Sequence, residues 1–278
     1  MRRLLLILSL LLAPCSALLS GPFFLGQQGV IASASTTYTP PTANLVLWLS
    51  ARKETAFSDG AAVETPTDWS GAGNAPTQAT STSRPSYETA EINGLPTFRL
   101  DGVDDRWLFS GTALDIAKNV GGLTVYVVSK STSTATARTT VGFTSGTSTT
   151  ANRFFVGHTS GSKLRSGGRR TDADTLQEVN GTATYSSGTW YLSTAVFNYT
   201  NSDLNQYLNG TSDGSSTTFQ TDGSTSNTSS QAATIGASSA VSSIFWTGDI
   251  AEVLIYQTAH DSTTRSAIET GLRGIYGL

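Results

Sequence analysis

Cysteine is almost missing from this 278-residue chain. Cys15 is the only one, so no disulfide can form within it and stability has to come from packing. His158 and His260 are the only histidines, and two isolated imidazoles without a cysteine pair argue against zinc. Charge is sparse at 13% of residues, and a net charge of −3 argues against a general nucleic-acid binder. Between Arg3 and Arg52 there is no Asp, Glu, Lys or Arg at all. The strongest apolar run, Leu4 to Leu12, is still too short to span a bilayer, which takes about 20 residues.

The chain opens "MRRLLLILSLLLAPCSALLSGPFFLGQQGVIASAS". Arg2 and Arg3, the Leu-rich run and the small residues Ala13 to Ala17 form the pattern of a secretory signal peptide. Leu12-Ala13-Pro14-Cys15 loosely resembles a lipoprotein box, although Pro14 fits that motif badly. Apolar character continues past the presumed cut at Leu18-Leu19 and Pro22 to Leu25, as it would in an arm retained for packing between subunits. Residues 1–26 therefore read either as a cleaved leader, plain or lipidated, or as a retained anchoring arm. Residues 27–43, ending in Pro40-Pro41, read as a stiff Ser/Thr/Pro spacer.

What the chain has in abundance is Thr, Ser and Gly, with 43, 37 and 27 copies. Thr favours strands, whereas Gly and Ser favour turns. With five Trp, nine Tyr and eleven Phe available for a core, residues 44–278 read as one all-β domain and not as a disordered stalk.

Along that domain, "NLVLWLSA" reads as a buried strand, and "LPTFRLDGVDDRWLFS" as a hairpin or strand–turn–strand around Asp-Gly. "GLTVYVVSK" is the strongest strand. "NRFFVGHTSGSKLRSGG" reads as a strand and a further hairpin, and "GTWYLSTAVFN" and "DLNQYLNGTSDG" as two strands, the second closing in an Asn209-Gly210 turn. "AATIGASS" and "FWTGDIAEVLIYQ" read as a final pair. The tail "DSTTRSAIETGLRGIYGL" is the one good helix: Asp261 or Ser262 can cap it, and Ile268, Leu272 and Ile275 share a face. Gly271 and Gly274 each weaken it by about 1 kcal/mol relative to Ala.

The order of "LVLWLSA", "DWSGAGNAPTQ", "PSYETAEINGLPTFRLDGVDDRWLF", "LTVYVVSK", "WYLSTAVFNYTNSDLNQYLNG", "TIGAS" and "FWTGDIAEVLIYQTAHDSTTRSAIETGLRGIYGL" resembles the concanavalin A-like lectin/glucanase superfamily, in its laminin-G-like bacterial and phage branch. The match runs from Asn44 to Leu278. It implies an all-β, two-sheet antiparallel jelly-roll sandwich with a short C-terminal helix behind the apolar N-terminal arm. It also implies core positions for Trp48, Trp69 and Trp190. Fold alone does not assign function.

Chemistry is thinly signalled. The glucanase branch uses an E-x-D-x-(x)-E strand motif, and retaining hydrolysis needs two carboxyls about 5 Å apart. The nearest match is "GDIAEVLIY", where Asp249 and Glu252 would face opposite ways on a regular strand. No catalytic residue is assigned. Lyase motifs of the R-x-E-L and Q-I-H type are absent. Calcium is the one metal with a candidate set, Asp101, Asp104 and Asp105, which equally suit a tight turn. Lys163, Arg165, Arg169 and Arg170, around a Gly-Gly turn, form a basic cluster that could dock an anionic glycan or a neighbouring subunit, or else sit as a solvated hairpin tip. Tyr199 and Tyr207 are candidate exposed stackers. The expectation is a non-enzymatic domain for adhesion or glycan recognition at a virion surface, multivalent and held to neighbouring subunits through residues 1–43. The alternative is a secreted or lipid-anchored carbohydrate-binding protein, with a hydrolase or lyase third.

Overall fold

The computed structural model describes residues 37–238 and 244–278. The leader or arm expected over residues 1–26 lies outside them. Among the described residues no helix is long and apolar enough to cross a membrane.

The chain enters at β1 (Leu45–Ser50) and passes the short β2 (Ala61–Ala62) to a hairpin of β3 (Ser86–Ile92) and β4 (Leu95–Asp101). The two-residue strand β5 (Trp107–Leu108) precedes β6 (Gly122–Ser131), β7 (Arg138–Thr144), β8 (Asn152–His158), β9 (Leu164–Gly168) and β10 (Gln177–Asn180). Then follow β11 (Trp190–Asn198), β12 (Asp203–Leu208), β13 (Thr211–Ser216), β14 (Ala232–Ile235) and β15 (Thr247–Tyr256). The helix α1 (Ser262–Tyr276) ends the fold.

All pairings are antiparallel and fall into two sheets. The larger runs β13-β12-β11-β6-β15-β4-β3-β2, with β1 also on β15; the smaller runs β10-β9-β8-β7-β14-β5. β1 pairs with residues 252–256 of β15, and β4 pairs with 247–250 of the same strand. Two cores result. Phe98, Trp107, Phe143, Phe154, Phe197 and Val253 pack between the sheets, whereas Trp48, Tyr126, Leu192, Leu254, Leu272 and Tyr276 pack between the larger sheet and α1. β6 and β15 are therefore buried on both faces, which is why they read as continuous apolar runs.

Turn chemistry follows the residues. Asn209 and Gly210 both have positive φ (50° and 79°) and join Leu208 to Thr211, the two-residue turn whose twist suits a hairpin. Asn93-Gly94 makes a second such turn, not anticipated from sequence. Three expectations need correcting. β4 and β5 flank Asp-Gly as strand–turn–strand but belong to different sheets, as do β14 and β15, which share one isolated bridge at Ala237–Phe245. Gly167-Gly168 is not a turn: it lies inside β9, and β8 and β9 form the hairpin directly.

The helix begins where Asp261 accepts the Thr264 amide at 2.7 Å and ends on Gly277 with φ of 67°. Its buried Ile268, Leu272 and Ile275 each contribute roughly 1.5–3 kcal/mol by leaving water. A polar pin adds to this. Glu252 of β15, 1% exposed, accepts hydrogen bonds from Trp48 Nε1 (2.6 Å), Tyr276 Oη (2.5 Å) and Arg52 Nε (3.2 Å). The end of the expected spacer is docked too. Pro40 is buried, the Tyr38 carbonyl accepts Arg52 Nη2 at 2.8 Å, and the Pro41 carbonyl accepts Tyr256 Oη at 2.9 Å.

Two helix glycines with the same sequence expectation now separate. A Cβ on Gly271 would sit 2.3–2.5 Å from the Tyr38 ring, whereas one on Gly274 meets nothing within 4 Å. Gly274→Ala is expected to stabilise by up to about 1 kcal/mol, and Gly271→Ala to destabilise by roughly 1–3 kcal/mol, in urea unfolding at constant slope. Arg52→Met, which leaves the Glu252 charge buried without its cation, is expected to cost about 3–5 kcal/mol in the same measurement.

Candidate functional site

Three of the four cations of the basic cluster face carboxylates. On β9, Arg165 pairs with Glu178 of β10 and lies over the Phe155 ring, 4.9 Å from its centroid. Lys163 Nζ donates to the Thr182 carbonyl at 2.6 Å. Arg169 donates to the Asp172 carbonyl (2.9 Å) and to Ser145, and Arg170 lies 3.7 Å from Asp174 and donates to Thr221 Oγ1 at 2.9 Å. The four residues spread from the turn before β9 to the loop after it and do not converge on one point.

Tyr199, expected at the surface, is fully buried: its ring packs near Phe197 and Phe219, and its hydroxyl donates to the Arg153 carbonyl at 3.1 Å. Tyr207 is half-buried, with the Arg265 guanidinium 3.7 Å from its ring centroid, so one face is already covered. Trp107 and Trp246 are buried as well.

Asp101, Asp104 and Asp105 do come together, their carboxylate oxygens within 4.8 Å of one another. Their own turn accounts for this. Asp101 Oδ1 accepts the Val103, Asp104 and Asp105 amides, Asp105 Oδ2 accepts the Asp101 amide at 3.0 Å, and Asp104 Oδ2 accepts Ser83 Oγ at 2.8 Å. Burial, with Asp101 and Asp104 adding repulsion, pushes the Asp105 carboxyl up to about 6. The set carries no metal assignment.

The acidic pair on β15 differs from expectation. A bulge between Ile250 and Glu252 puts Asp249 and Glu252 on the same face, away from the inter-sheet core. Neither is open to a substrate. Asp249, 1% exposed, lies 2.7 Å from Lys130 Nζ and 2.8 Å from Arg99 Nε, and Glu252 is the helix pin. His158 is also buried, with Nε2 3.1 Å from Ser131 Oγ and Nδ1 3.1 Å from the Thr159 carbonyl. Chain distance hid that serine partner. With no exposure and no carboxylate among these contacts, the pair is a satisfied core contact.

The site that sequence reading missed lies on the rim where β10 and β13, the outer strands of the two sheets, approach. A cleft of about 560 Å³ is lined by Asp174 and Thr175 from the β9–β10 loop, by Gln177 at the start of β10, by Ser202, and by Thr217, Thr218, Gln220, Thr221 and Asp222 after β13. The loop after β13 is held from below. Phe219 is fully buried in the inter-sheet core and its amide bonds the Ser202 carbonyl at 2.8 Å, while Gln220 Nε2 donates to the Gly168 and Thr175 carbonyls, both at 3.0 Å. Gly223 takes φ of 138°, and a Cβ there would lie 2.9 Å from Arg170 Nη1, so glycine lets that arginine tuck behind the loop. Asp222 accepts from Ser202 Oγ and Asp174 Oδ2 accepts the Thr171 amide at 2.8 Å. The cleft thus offers hydroxyls, side-chain amides and two carboxylates on a braced frame. No sequence motif announces it, because its walls come from three separate segments.

A second consequence of burial concerns His260, which donates to or accepts from Tyr126 Oη at 2.8 Å beside the Tyr256 ring. Burial pushes its imidazole down to about 4, against a smaller opposing pull from Asp261. An unfolded imidazole takes up its proton below about pH 6.5 and the folded one resists until about 4, so His260 lowers stability as pH falls through that window. Discounted for partial exposure, the loss is on the order of 1–2 kcal/mol. The gap between urea midpoints at pH 4.5 and 7 is expected to narrow in His260→Gln.

Comparison with curated protein sequences gives no match. Among solved structures, the fold is similar to the binding domain of Paraclostridial Mosquitocidal Protein 1, with TM-score 0.56 and 13% identity, over 82% of this chain and 52% of that one. It is similar to domain 4 of AbnA, a GH43 extracellular arabinanase from Geobacillus stearothermophilus solved with arabinotriose, with TM-score 0.55 and 15% identity, over 82% and 98% of the two chains. The botulinum neurotoxin serotype D binding domain gives 0.55 and 12%, over 83% and 51%. At such identities the likeness is one of fold. A family model, by contrast, matches the sequence itself across residues 104–264, more than half of its length, from the aspartate turn through β15 into α1. The chain belongs to the concanavalin A-like lectin/glucanase superfamily.

Proposed function

We propose that this chain is a non-enzymatic, surface-displayed jelly roll that recognises glycans through the rim cleft. The observation that carries the reading is the cleft itself: a braced concavity whose walls expose hydroxyl, amide and carboxylate groups, the partners a polyhydroxylated ligand needs. Loops on a rigid β-scaffold supply such contacts without disturbing the sheets. Similar folds in a toxin's binding domain and in an arabinanase domain solved with arabinotriose support the same class of function. Against hydrolysis stand the acids of β15, both engaged and both buried.

In this reading the domain is displayed at a virion surface by its N-terminal residues, and repeated copies turn weak single contacts into firm attachment, gaining about 10²–10⁴ in avidity. Export as a secreted or lipid-anchored protein is the alternative, favoured by the signal-peptide-like start. Intact mass of the native protein separates the two. A chain starting at Met1 or Arg2 is expected for the retained arm. A start between Ser16 and Ala34, or at an acylated Cys15, means export and overturns the virion reading.

The glycan reading is tested with the full-length chain on a glycan array, alongside Thr218→Trp, which puts a bulky ring into the cleft from an exposed position. Retention of at least one glycan by the wild type and a loss of about tenfold or more in the variant, with melting temperature unchanged, are expected. No retained glycan, or equal retention by the variant, overturns it.

A further inference from the structure

We infer that the cleft selects neutral glycans and discriminates against those carrying sialic or uronic acid, because the only formal charges in its walls are the two carboxylates Asp174 and Asp222. This rests on the glycan reading above and adds to it the class of ligand. It also reverses what the basic cluster suggests from sequence. None of Lys163, Arg165, Arg169 and Arg170 lines the cleft. Arg165 is neutralised by Glu178, and Lys163 reaches the Thr182 carbonyl. Arg169 and Arg170 are turned to Asp172, Asp174, Thr221 and the Ser224 carbonyl. Arg170, the cation beside the cleft, is matched by Asp174 and held behind the loop at Gly223.

Among the described residues Asp222 has no such cation; its partner is the neutral hydroxyl of Ser202. With Asp174 offset by Arg170, the cleft wall itself keeps about one negative charge, on Asp222, while Asp172, outside the lining, is shared by Arg169 and the buried Arg153. A sugar hydroxyl can donate to these carboxylates in charge-assisted hydrogen bonds, and Gln220, both of whose amide hydrogens are engaged, adds a further acceptor oxygen. A ligand carboxylate placed among the same acceptors gains no cation and meets repulsion. At a separation of about 6 Å and an effective dielectric of 40–80, one unit charge disfavours it by about three- to tenfold. No aromatic residue is among the lining set, so hydrogen bonding carries the recognition and single-site affinity is modest.

The test measures the full-length chain against a galactose-terminated oligosaccharide and the same oligosaccharide capped with sialic acid, each at low and high salt. The wild type is expected to bind the neutral form about three- to tenfold more tightly, with the gap narrowing at high salt. In Asp222→Asn, which keeps one oxygen acceptor and removes the charge that no cation offsets, the gap is expected to close. Equal or tighter binding of the sialylated form, still abolished by Thr218→Trp, overturns the neutral-ligand inference and leaves the cleft as the site. A preference for the neutral form that Thr218→Trp does not affect overturns both the cleft and the inference. If neither oligosaccharide nor any other array glycan binds, the glycan reading itself fails.

Discussion

A carboxylate with no access to water, Glu252, ties together four parts of this protein: β1 through Trp48, the turn after it through Arg52, β15 on which it sits, and α1 through Tyr276. A buried charge is tolerated only when it is paired and hydrogen-bonded on all sides. Each of these elements therefore has to be in place for the others to be stable. The same arginine holds the Tyr38 carbonyl, so the segment leading into the domain is fastened to the helix that ends it. The apolar residues of α1 supply most of the attraction to the sheet, and the Glu252 network makes one docking position better than its neighbours.

That arrangement depends on a single irregularity. Without the bulge beside Ile250, the alternation of β15 would send Asp249 and Glu252 to opposite faces, and one carboxylate would enter the inter-sheet core among Phe98, Trp107 and Val127. With it, both stand on the outer face: Asp249 is neutralised by Lys130 and Arg99, and Glu252 by Arg52. A pair that resembles catalytic carboxylates in sequence is thus part of what holds the third layer on.

With the central strands buried on both faces, recognition is left to the rim. The cleft is assembled where β10 and β13 approach, and its outer wall stays in place because the consecutive Phe219 and Gln220 both turn inward between the exposed Thr218 and Thr221. Opposite charges in the neighbouring loops lie close enough in sequence to satisfy one another, as Arg170 and Asp174 do, and this leaves the cavity lined by hydroxyls, amides and carboxylates.

Local pattern alone settled much of the fold. The apolar runs of β6, β11 and β15, the Asn209-Gly210 turn, the Asp261 cap and the Ile268–Leu272–Ile275 face were readable because each arises from residues within one or two turns or pleats of one another. Composition likewise determined that packing, not cross-linking, stabilises the protein. Only the tertiary structure decided which strands share a sheet, that Tyr199 is core, that His158 finds Ser131, and where the cleft lies. Those facts depend on contacts between residues tens to hundreds of positions apart, and on a bulge that shifts the strand period by one. Short-range periodicity carries no record of either.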